Sequence, residues 1–241
     1  MRILVYDTPQ SAATAAAMVF ADEIVKKPCA ALGLATGSTP IPLYQELIRL
    51  NGVGLIDFSR VTTWNLDEYV GLAPDHPAGY RYFMNEQLFK HINIDIKNTH
   101  VPSGMADDLE REAAAYDAAI AASGGIDIQL LGIGHNGHIG FNEPGDIFIY
   151  ETHVMELTRS TIDANARHFD TPDDVPRRAI SMGVGTIMAA RRIVLIATGA
   201  DKARAVAGMA NGPIDPKLPA SILRCHANAQ VFLDKAAAGA L

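Results

Sequence analysis

The chain has 241 residues, of which 49% are hydrophobic and 20% are charged, and its formal net charge is −7 at pH 7. This length is enough for one large domain with a core of its own. The negative charge, together with the lack of a block of basic residues, argues against nucleic acid or an anionic membrane as the main partner. An anionic small ligand remains compatible, because local basic residues can outweigh the global charge within one Debye length.

The N-terminal run MRILVYDTPQ lacks the apolar core of a signal peptide, and no apolar run approaches the length needed to span a bilayer. The two cysteines, Cys29 and Cys225, lie in unlike contexts, which makes a disulfide framework improbable. We therefore expect a protein of the reducing cytoplasm.

The N-terminal part of the chain alternates strand and helix patterns. We predict a strand over residues 2–6, a helix over 11–26 with Ser11 as its N-cap, a strand over 30–35 and a helix over 43–50.

A turn rich in glycine and hydroxyl residues joins the second strand to the second helix. Its residues are Thr36, Gly37, Ser38, Thr39 and Pro40. A strand, such a turn and a helix start can form a phosphate cradle, because the turn amides point inward and the helix dipole favours an anion. The turn matches neither the P-loop nor the GxGxxG fingerprint. An ordinary turn with hydroxyl caps fits the pattern equally well.

Two acids follow the next predicted strand, which begins over residues 61–64 and continues into NLDEY. Burial would raise the pKa of a carboxyl group at this position, and a neighbouring acid would raise it further. Asp67 is therefore a candidate general base near neutral pH. The alternative is that Asp67 caps the next helix and Glu68 faces water; we assign Glu68 a structural role.

The middle of the chain continues the alternation. We predict helices over residues 79–91 and 107–122, with a short strand and turn over 101–104 between them. An apolar run over 126–133, bounded by glycines, then predicts a buried strand.

The loop after this buried strand is the most informative stretch of the sequence. It lies within QLLGIGHNGHIGFNEPG, which ends at Gly145. The loop carries Gly132, Gly134, Gly137 and Gly140 together with five polar residues: His135, Asn136, His138, Asn142 and Glu143. A carboxylate near a histidine can hold one imidazole nitrogen as a donor and leave the other free as a base, so His138 and Glu143 are candidate catalytic groups. The alternatives are that the two merely satisfy each other, or that the HNGH histidines bind a metal, for which local carboxylate and cysteine ligands are scarce.

Residues 146–178 differ from the rest, because they are polar and weakly periodic. They could form a lid that closes over the site, with Arg167 as its residue of most interest, or a solvated surface excursion.

The last part of the chain repeats the strand–turn–helix pattern. We predict strands over residues 192–197 and 231–233, and a helix that includes 188–192. A turn at Gly199 leads into another helix, with Lys202 in its first turn. A lysine there is unfavourable against the helix dipole, so a phosphate contact is a possible reason for it.

Together the elements predict an α/β fold in a single domain, 1–241, with a doubly wound, mostly parallel, Rossmann-like sheet and a candidate lid at 146–178. The loops at 36–40, 65–69, 134–143 and 199–202 should meet in the crevice at the carboxyl ends of its strands.

Four segments resemble one known family. LGLATGSTP, NLDEYVGL and GIGHNGHIGFNEPG, in this order, closely resemble glucosamine-6-phosphate deaminases, and TGADKARAV resembles a later phosphate-site segment of the same family. The similarity runs from Ala31 to about Leu223. It implies an enzyme of amino sugar catabolism that converts glucosamine 6-phosphate and water to fructose 6-phosphate and ammonia, with no metal or organic cofactor.

The resemblance also implies roles for individual residues. Asp67 matches the base that takes the C2 proton and returns one at C1. His138 matches the residue that opens the pyranose ring, and Glu143 matches its paired carboxylate. Asn136 lies where some members carry an aspartate; it cannot relay a proton, but it can still orient a neighbour. The phosphate site is matched by the turn over residues 36–39, with Arg167 and Lys202.

One departure concerns regulation. Hexameric members of the family carry an allosteric site for an N-acetylated sugar phosphate, formed by an Arg and a Lys shortly after NEPG, and the corresponding positions here hold His153 and Met155. We therefore predict no such activation. The oligomeric state stays open, with a homo-oligomer compatible with the sequence.

Two rival functions were weighed against this one. A 6-phosphogluconolactonase shares the fold type but needs no enolising carboxylate such as Asp67. A non-enzymatic sugar-phosphate sensor would usually carry a helix-turn-helix segment, for which the predicted first strand at residue 2 leaves no room.

Overall fold

A computed structural model describes residues 1–165, 169, 171 and 174–241. The strands of this part of the chain are β1 (Arg2–Tyr6), β2 (Ala31–Leu34), β3 (Thr62–Asn65), β4 (Asp67–Tyr69), β5 (Thr99–His100), β6 (Ile128–Leu131), β7 (His153–Glu156), β8 (Arg178–Ser181), β9 (Arg192–Ala197) and β10 (Ala229–Asp234). Its α-helices are α1 (Pro9–Lys26), α2 (Ile41–Gly52), α3 (Tyr80–Gln87), α4 (Leu109–Ala122), α5 (Arg159–Asn165), α6 (Val184–Met188) and α7 (Ala203–Asn211).

Seven strands form the central sheet, in the order β1-β10-β9-β6-β2-β3-β5, and every neighbouring pair is parallel. β2 and β6 are buried along their whole length, as expected for strands covered on both faces, and β6 buries the polar side chain of Gln129 among its apolar residues. The predicted α/β fold with a mostly parallel sheet is confirmed. Because β9, β6, β2 and β3 are neighbours, the four predicted site loops leave the same edge of the sheet.

A second, antiparallel sheet was not predicted. Its order is β4-β8-β7, and Asp67 in β4 pairs with Ser181 in β8. Residues 67–69, predicted to lie in the loop 65–69, instead form a strand, and its partner β8 lies more than a hundred positions later in the chain.

Segment 146–178 contains β7, which is an edge strand of this second sheet, and the helix α5. Leu157, Ile162 and Val175 are buried there and form one apolar cluster with Tyr69 and Phe141. These residues are packed against the protein, whereas Ile147 and Tyr150 of the same segment are exposed. That the segment opens and closes remains a prediction, as does the single domain 1–241.

The first helix begins earlier than predicted. Thr8, and not Ser11, is its N-cap: the Thr8 hydroxyl accepts a hydrogen bond from the Ser11 backbone N–H at 3.1 Å, and the Ser11 hydroxyl accepts one from the Thr8 N–H at 3.1 Å. This reciprocal capping box uses two hydroxyl residues three positions apart, so the sequence offered two caps of similar chemistry.

Other predicted boundaries differ as well. The strand predicted over residues 101–104 lies at Thr99–His100, because Pro102 cannot donate to a ladder. The helix predicted over 79–91 ends at Gln87 and is followed by a 3₁₀ turn at Phe89–His91. The helix assigned to 188–192 instead ends at Met188, and Arg192 already belongs to β9.

Cys29 and Cys225 are both exposed, and neither takes part in a disulfide in this structure. No helix in the described ranges is long and apolar enough to cross a membrane.

Candidate active site

A cavity of about 230 Å³ lies where β2, β3 and β6 end. Each predicted site loop contributes to its lining, and the full set of lining residues is Ala35, Thr36, Gly37, Ser38, Thr39, Pro40, Leu66, Asp67, Tyr80, Gly132, Ile133, Gly134, His135, His138, Gly140, Phe141, Thr161 and Lys202. The structure thus brings together the predicted base and the predicted ring-opening histidine, Asp67 and His138. The turn over residues 36–39 and Lys202 line the same cavity. The expectation that these loops meet in one crevice is confirmed.

Asp67 is 5% exposed, at the junction between the two sheets. Its main chain is fixed because the Leu66 N–H donates to the Leu34 carbonyl at 3.1 Å and Asp67 pairs with Ser181. No hydrogen bond from another described residue reaches its carboxylate. Burial, and then the neighbouring charge of Glu68, raises the pKa of Asp67 to about 8. The predicted direction and both predicted causes are confirmed, and such a group can accept and return a proton near neutral pH.

Glu68 is 4% exposed and turns away from the cavity. Its carboxylate accepts three backbone hydrogen bonds, at 2.9, 2.9 and 2.8 Å, from the N–H groups of Tyr69, Tyr80 and Arg81. It therefore caps the start of α3, where a carboxylate is favoured by the free amides and the helix dipole. The alternative in which Asp67 is the cap and Glu68 faces water is wrong, and the structural role assigned to Glu68 is consistent with these contacts.

Glycines let the loop over residues 134–143, here called the central loop, present His138 to the cavity. A Cβ atom on Gly134 would lie 2.4 Å from the His138 ring, so only glycine permits this approach. The loop is closed by a hydrogen bond from the Gly134 N–H to the His138 carbonyl at 2.9 Å. Gly137 has φ of +89°, a region that side chains other than glycine rarely adopt.

Behind His138 lies a hydrogen-bonded carboxylate, Glu143. The Nδ1 atom of His138 is 3.7 Å from Glu143 Oε2, which is an electrostatic contact and longer than a hydrogen bond. The Asn136 side-chain amide donates to Glu143 Oε2 at 2.8 Å, and the Thr161 hydroxyl donates to Oε1. Burial alone would raise the pKa of Glu143, but His138, Thr161 and Asn136 outweigh it and lower the pKa to about 2.

The turn over residues 36–39 joins β2 to α2 and lines the cavity. Its four backbone N–H groups donate to no atom of the described residues, and α2 begins directly after it with no side-chain cap. The alternative of a turn with hydroxyl caps is therefore wrong. Free amides at a helix start, with the positive end of its dipole, favour an anion.

Lys202 lines the same cavity, with a side chain that is 21% exposed. It is the N-cap of α7, at the end of a 3₁₀ turn over Ala200–Lys202, and so lies just outside the first helical turn where it was predicted. Its Nζ atom is 3.0 Å from the Asp201 carboxylate, which is itself exposed. A phosphate in the cavity would compete with Asp201 for this cation.

The lining of the cavity differs in several residues from the site predicted from the sequence. Arg167 lies outside the described residues. Asn136 and Glu143 do not line the cavity but support His138 from behind. Tyr80 and Thr161 line it without having been predicted.

Sequence signals for these two additional residues were weak. Tyr80 stacks on Phe141, with ring centroids 5.9 Å apart, and so forms an apolar wall beside Asp67. It is one of several aromatic residues in its region. Thr161 lies in the polar segment 146–178, where hydroxyl residues are frequent. Within the described part of the chain, no three His, Cys, Asp or Glu side chains cluster as metal ligands would.

Comparison with known proteins gives consistent similarities. The family model described as glucosamine-6-phosphate isomerases/6-phosphogluconolactonase matches residues 7–232. The chain is 51% identical to a glucosamine-6-phosphate deaminase of Halothermothrix orenii over 241 residues, which is 100% of both chains. It is 52% identical to one of Clostridium perfringens over 238 residues, covering 99% of this chain and 98% of the relative.

Solved structures agree in fold. A monomeric glucosamine-6-phosphate deaminase superimposes with a TM-score of 0.97 at 44% identity, covering 100% of both chains. A 6-phosphogluconolactonase from Trypanosoma brucei superimposes with a TM-score of 0.77 at 22% identity, covering 100% of this chain and 98% of that one, which is a likeness of fold alone.

Proposed function

This chain belongs to the family of glucosamine-6-phosphate isomerases and 6-phosphogluconolactonases, and we propose that it is a glucosamine-6-phosphate deaminase. The reaction converts glucosamine 6-phosphate and water to fructose 6-phosphate and ammonia. The observation that carries the proposal is one cavity with two separate proton-transfer groups, Asp67 and the His138–Glu143 pair, beside an anion cradle. Aldose-to-ketose conversion of a cyclic sugar phosphate needs these three parts.

Ring opening is the first step. His138 takes the proton of the C1 hydroxyl, the C1–O5 bond breaks as the C1 carbonyl forms, and the ring oxygen O5 receives a proton from the imidazolium. Glu143 faces Nδ1, which favours a proton on that nitrogen and leaves Nε2 as the base. Asn136 orients Glu143 by its hydrogen bond and carries no proton itself.

Proton transfer between adjacent carbons follows. Asp67 takes the C2 proton while one proton of the C2 ammonium group passes to the C1 carbonyl oxygen, which gives an enolamine with a C1 hydroxyl. Asp67 then returns its proton to C1, which leaves an iminium group at C2. Water adds at C2 to give a carbinolamine, and ammonia leaves together with the hydroxyl proton to give the ketone. The raised pKa of Asp67 suits it to both halves of this cycle, because donor and acceptor forms are then both accessible near neutral pH.

The phosphate group would be held at the other end of the cavity. The free amides over residues 36–39 and the Lys202 ammonium support this assignment, and Arg167 enters it through family resemblance only. Phosphate binding far from the reacting carbons supplies energy for positioning them.

The finer assignments also belong to the proposal. We assign the enzyme to the hydrolase class, to N-acetylglucosamine catabolism and to the cytoplasm, the last supported by the free, exposed Cys29 and Cys225. The chain is proposed to act as one domain with a lid at 146–178.

The test is an assay of ammonia and fructose 6-phosphate released from glucosamine 6-phosphate, with 6-phosphogluconolactone hydrolysis measured in parallel. Equal amounts of both deamination products, with no lactone hydrolysis above background, are expected. Lactone hydrolysis without ammonia release would replace the proposal by the lactonase function. Binding of the sugar phosphate without any turnover would replace it by the sensor function.

A further inference from the structure

Glu143 is held from two sides by two different parts of the chain. The Asn136 amide, from the central loop, binds Oε2, and the Thr161 hydroxyl, from α5, binds Oε1. The Glu143 side chain is only 5% exposed, so each oxygen depends on its protein donor for hydrogen bonding. The orientation of this carboxylate is therefore set jointly by the central loop and by α5.

Thr161 is itself firmly placed. It is 4% exposed and lines the cavity. Its backbone N–H donates to the Thr158 carbonyl at 3.0 Å, and the Thr158 hydroxyl donates to the Thr161 hydroxyl at 3.1 Å. The Thr161 hydroxyl thus accepts a hydrogen bond from Thr158 and donates one to Glu143. Such a chain of hydrogen bonds is strengthened by polarisation in a buried environment.

Apolar packing holds α5 where Thr161 can reach Glu143. Ile162, next to Thr161, is buried in the apolar cluster that contains Tyr69, from β4, and Phe141, from the central loop. The same cluster thus ties α5 to the strand that carries Asp67 and to the loop that carries Glu143. The hydroxyl of Thr161 reaches the carboxylate only when α5 is packed against both.

The imidazole of His138 depends on this arrangement. Its Nδ1 atom is buried, makes no hydrogen bond to an atom of the described residues, and lies 3.7 Å from Glu143 Oε2. A small rotation of the carboxylate decides whether Oε2 faces Nδ1 and so which ring nitrogen holds the proton.

We propose that Thr161 is a positioning residue for ring opening, whose hydroxyl holds the Glu143 carboxylate toward His138 and makes that alignment depend on the packing of α5. The kinetic part of this inference rests on the proposed deaminase function. The proton on Nδ1 is a property of the free protein and can be measured without substrate.

The experiment compares Thr161→Val, which keeps the shape but lacks the hydroxyl, with Thr161→Ser, which keeps the hydroxyl. Thr152→Val is the matched control: Thr152 lies in the same segment, is buried, and donates to the Asp117 carboxylate at 2.6 Å, away from the cavity. Removing a hydrogen bond to a charged group predicts a loss of kcat/KM of about 10- to 100-fold in Thr161→Val. Thr161→Ser should stay within about threefold of wild type, because serine has the same donor.

Two readouts separate positioning from general damage. The ¹⁵N NMR signals of the His138 ring should indicate the Nδ1-protonated form in wild type, Thr161→Ser and Thr152→Val, and a mixture of tautomers in Thr161→Val. Binding of 2-amino-2-deoxyglucitol 6-phosphate, an open-chain probe that cannot form a ring, should stay within about threefold in Thr161→Val because ring opening is not involved.

The proposal is overturned if Thr161→Val keeps wild-type tautomer signals, or if Thr152→Val loses as much kcat/KM as Thr161→Val. Weak binding of the open-chain probe by Thr161→Val would also overturn it, since the residue would then act on the whole cavity. If wild type releases no ammonia, the proposed function fails, and the tautomer comparison still decides the role of Thr161.

Discussion

Asp67→Asn tests the buried base through stability as well as through activity. The pKa of Asp67 is raised from the model-compound value of 3.8 to about 8. In the folded protein the carboxyl group therefore keeps its proton up to higher pH than in the unfolded chain. Its stabilising contribution is fully present below pH 3.8 and is lost as pH rises toward 8.

The size of this effect follows from linkage. The difference between the two pKa values corresponds to about 6 kcal/mol of unfolding free energy, of which roughly 3 to 4 kcal/mol is lost between pH 5 and pH 8. An asparagine does not titrate, so the variant lacks this loss. Relative to wild type, Asp67→Asn should thus gain stability as pH rises from 5 to 8.

The assay is urea unfolding at pH 5, 6, 7 and 8, together with ammonia release at the same pH values. Asp107→Asn, at an exposed acid, is the matched control and should follow the wild-type curve. Turnover by Asp67→Asn should fall by about 10²- to 10⁴-fold, the usual contribution of a general base. Parallel stability curves for wild type and Asp67→Asn would refute the raised pKa, and near-normal turnover would refute the role as base.

Three further outcomes are expected. Asn136→Asp would place a second carboxylate beside Glu143, so kcat/KM should fall by about tenfold near pH 8 and less near pH 6, where the new acid is more often protonated; an equal loss at both pH values would contradict this reasoning. Lys202→Met should raise KM by about 10- to 100-fold with a smaller change in kcat, measured by initial rates, and an unchanged KM would remove the residue from the phosphate site. N-acetylglucosamine 6-phosphate should leave the KM for glucosamine 6-phosphate within about twofold, because His153 and Met155 stand where a basic pair would be needed, and a clear fall in KM would contradict the prediction.

The sequence alone predicted the alternation of strands and helices and the loops that meet in the cavity. The strands predicted over residues 2–6 and 192–197 agree with Arg2–Tyr6 and Arg192–Ala197, because each is a short apolar run with β-branched residues that is visible locally. The glycines around His138 were equally visible, since backbone that approaches a side chain or takes positive φ requires glycine. Parallel strands end at one edge, so the meeting of their loops followed from the alternation of elements.

Only the tertiary structure decided the electrostatic state and the support of the site. Burial of Asp67 depends on its pairing with Ser181, and the orientation of Glu143 depends on Thr161 in a polar segment with no distinguishing pattern. The helix cap at Glu68 likewise depends on where α3 packs. These contacts join residues far apart in the chain, and neither side-chain type nor spacing specifies which distant partner will remove water from a charge and which will donate a hydrogen bond to it.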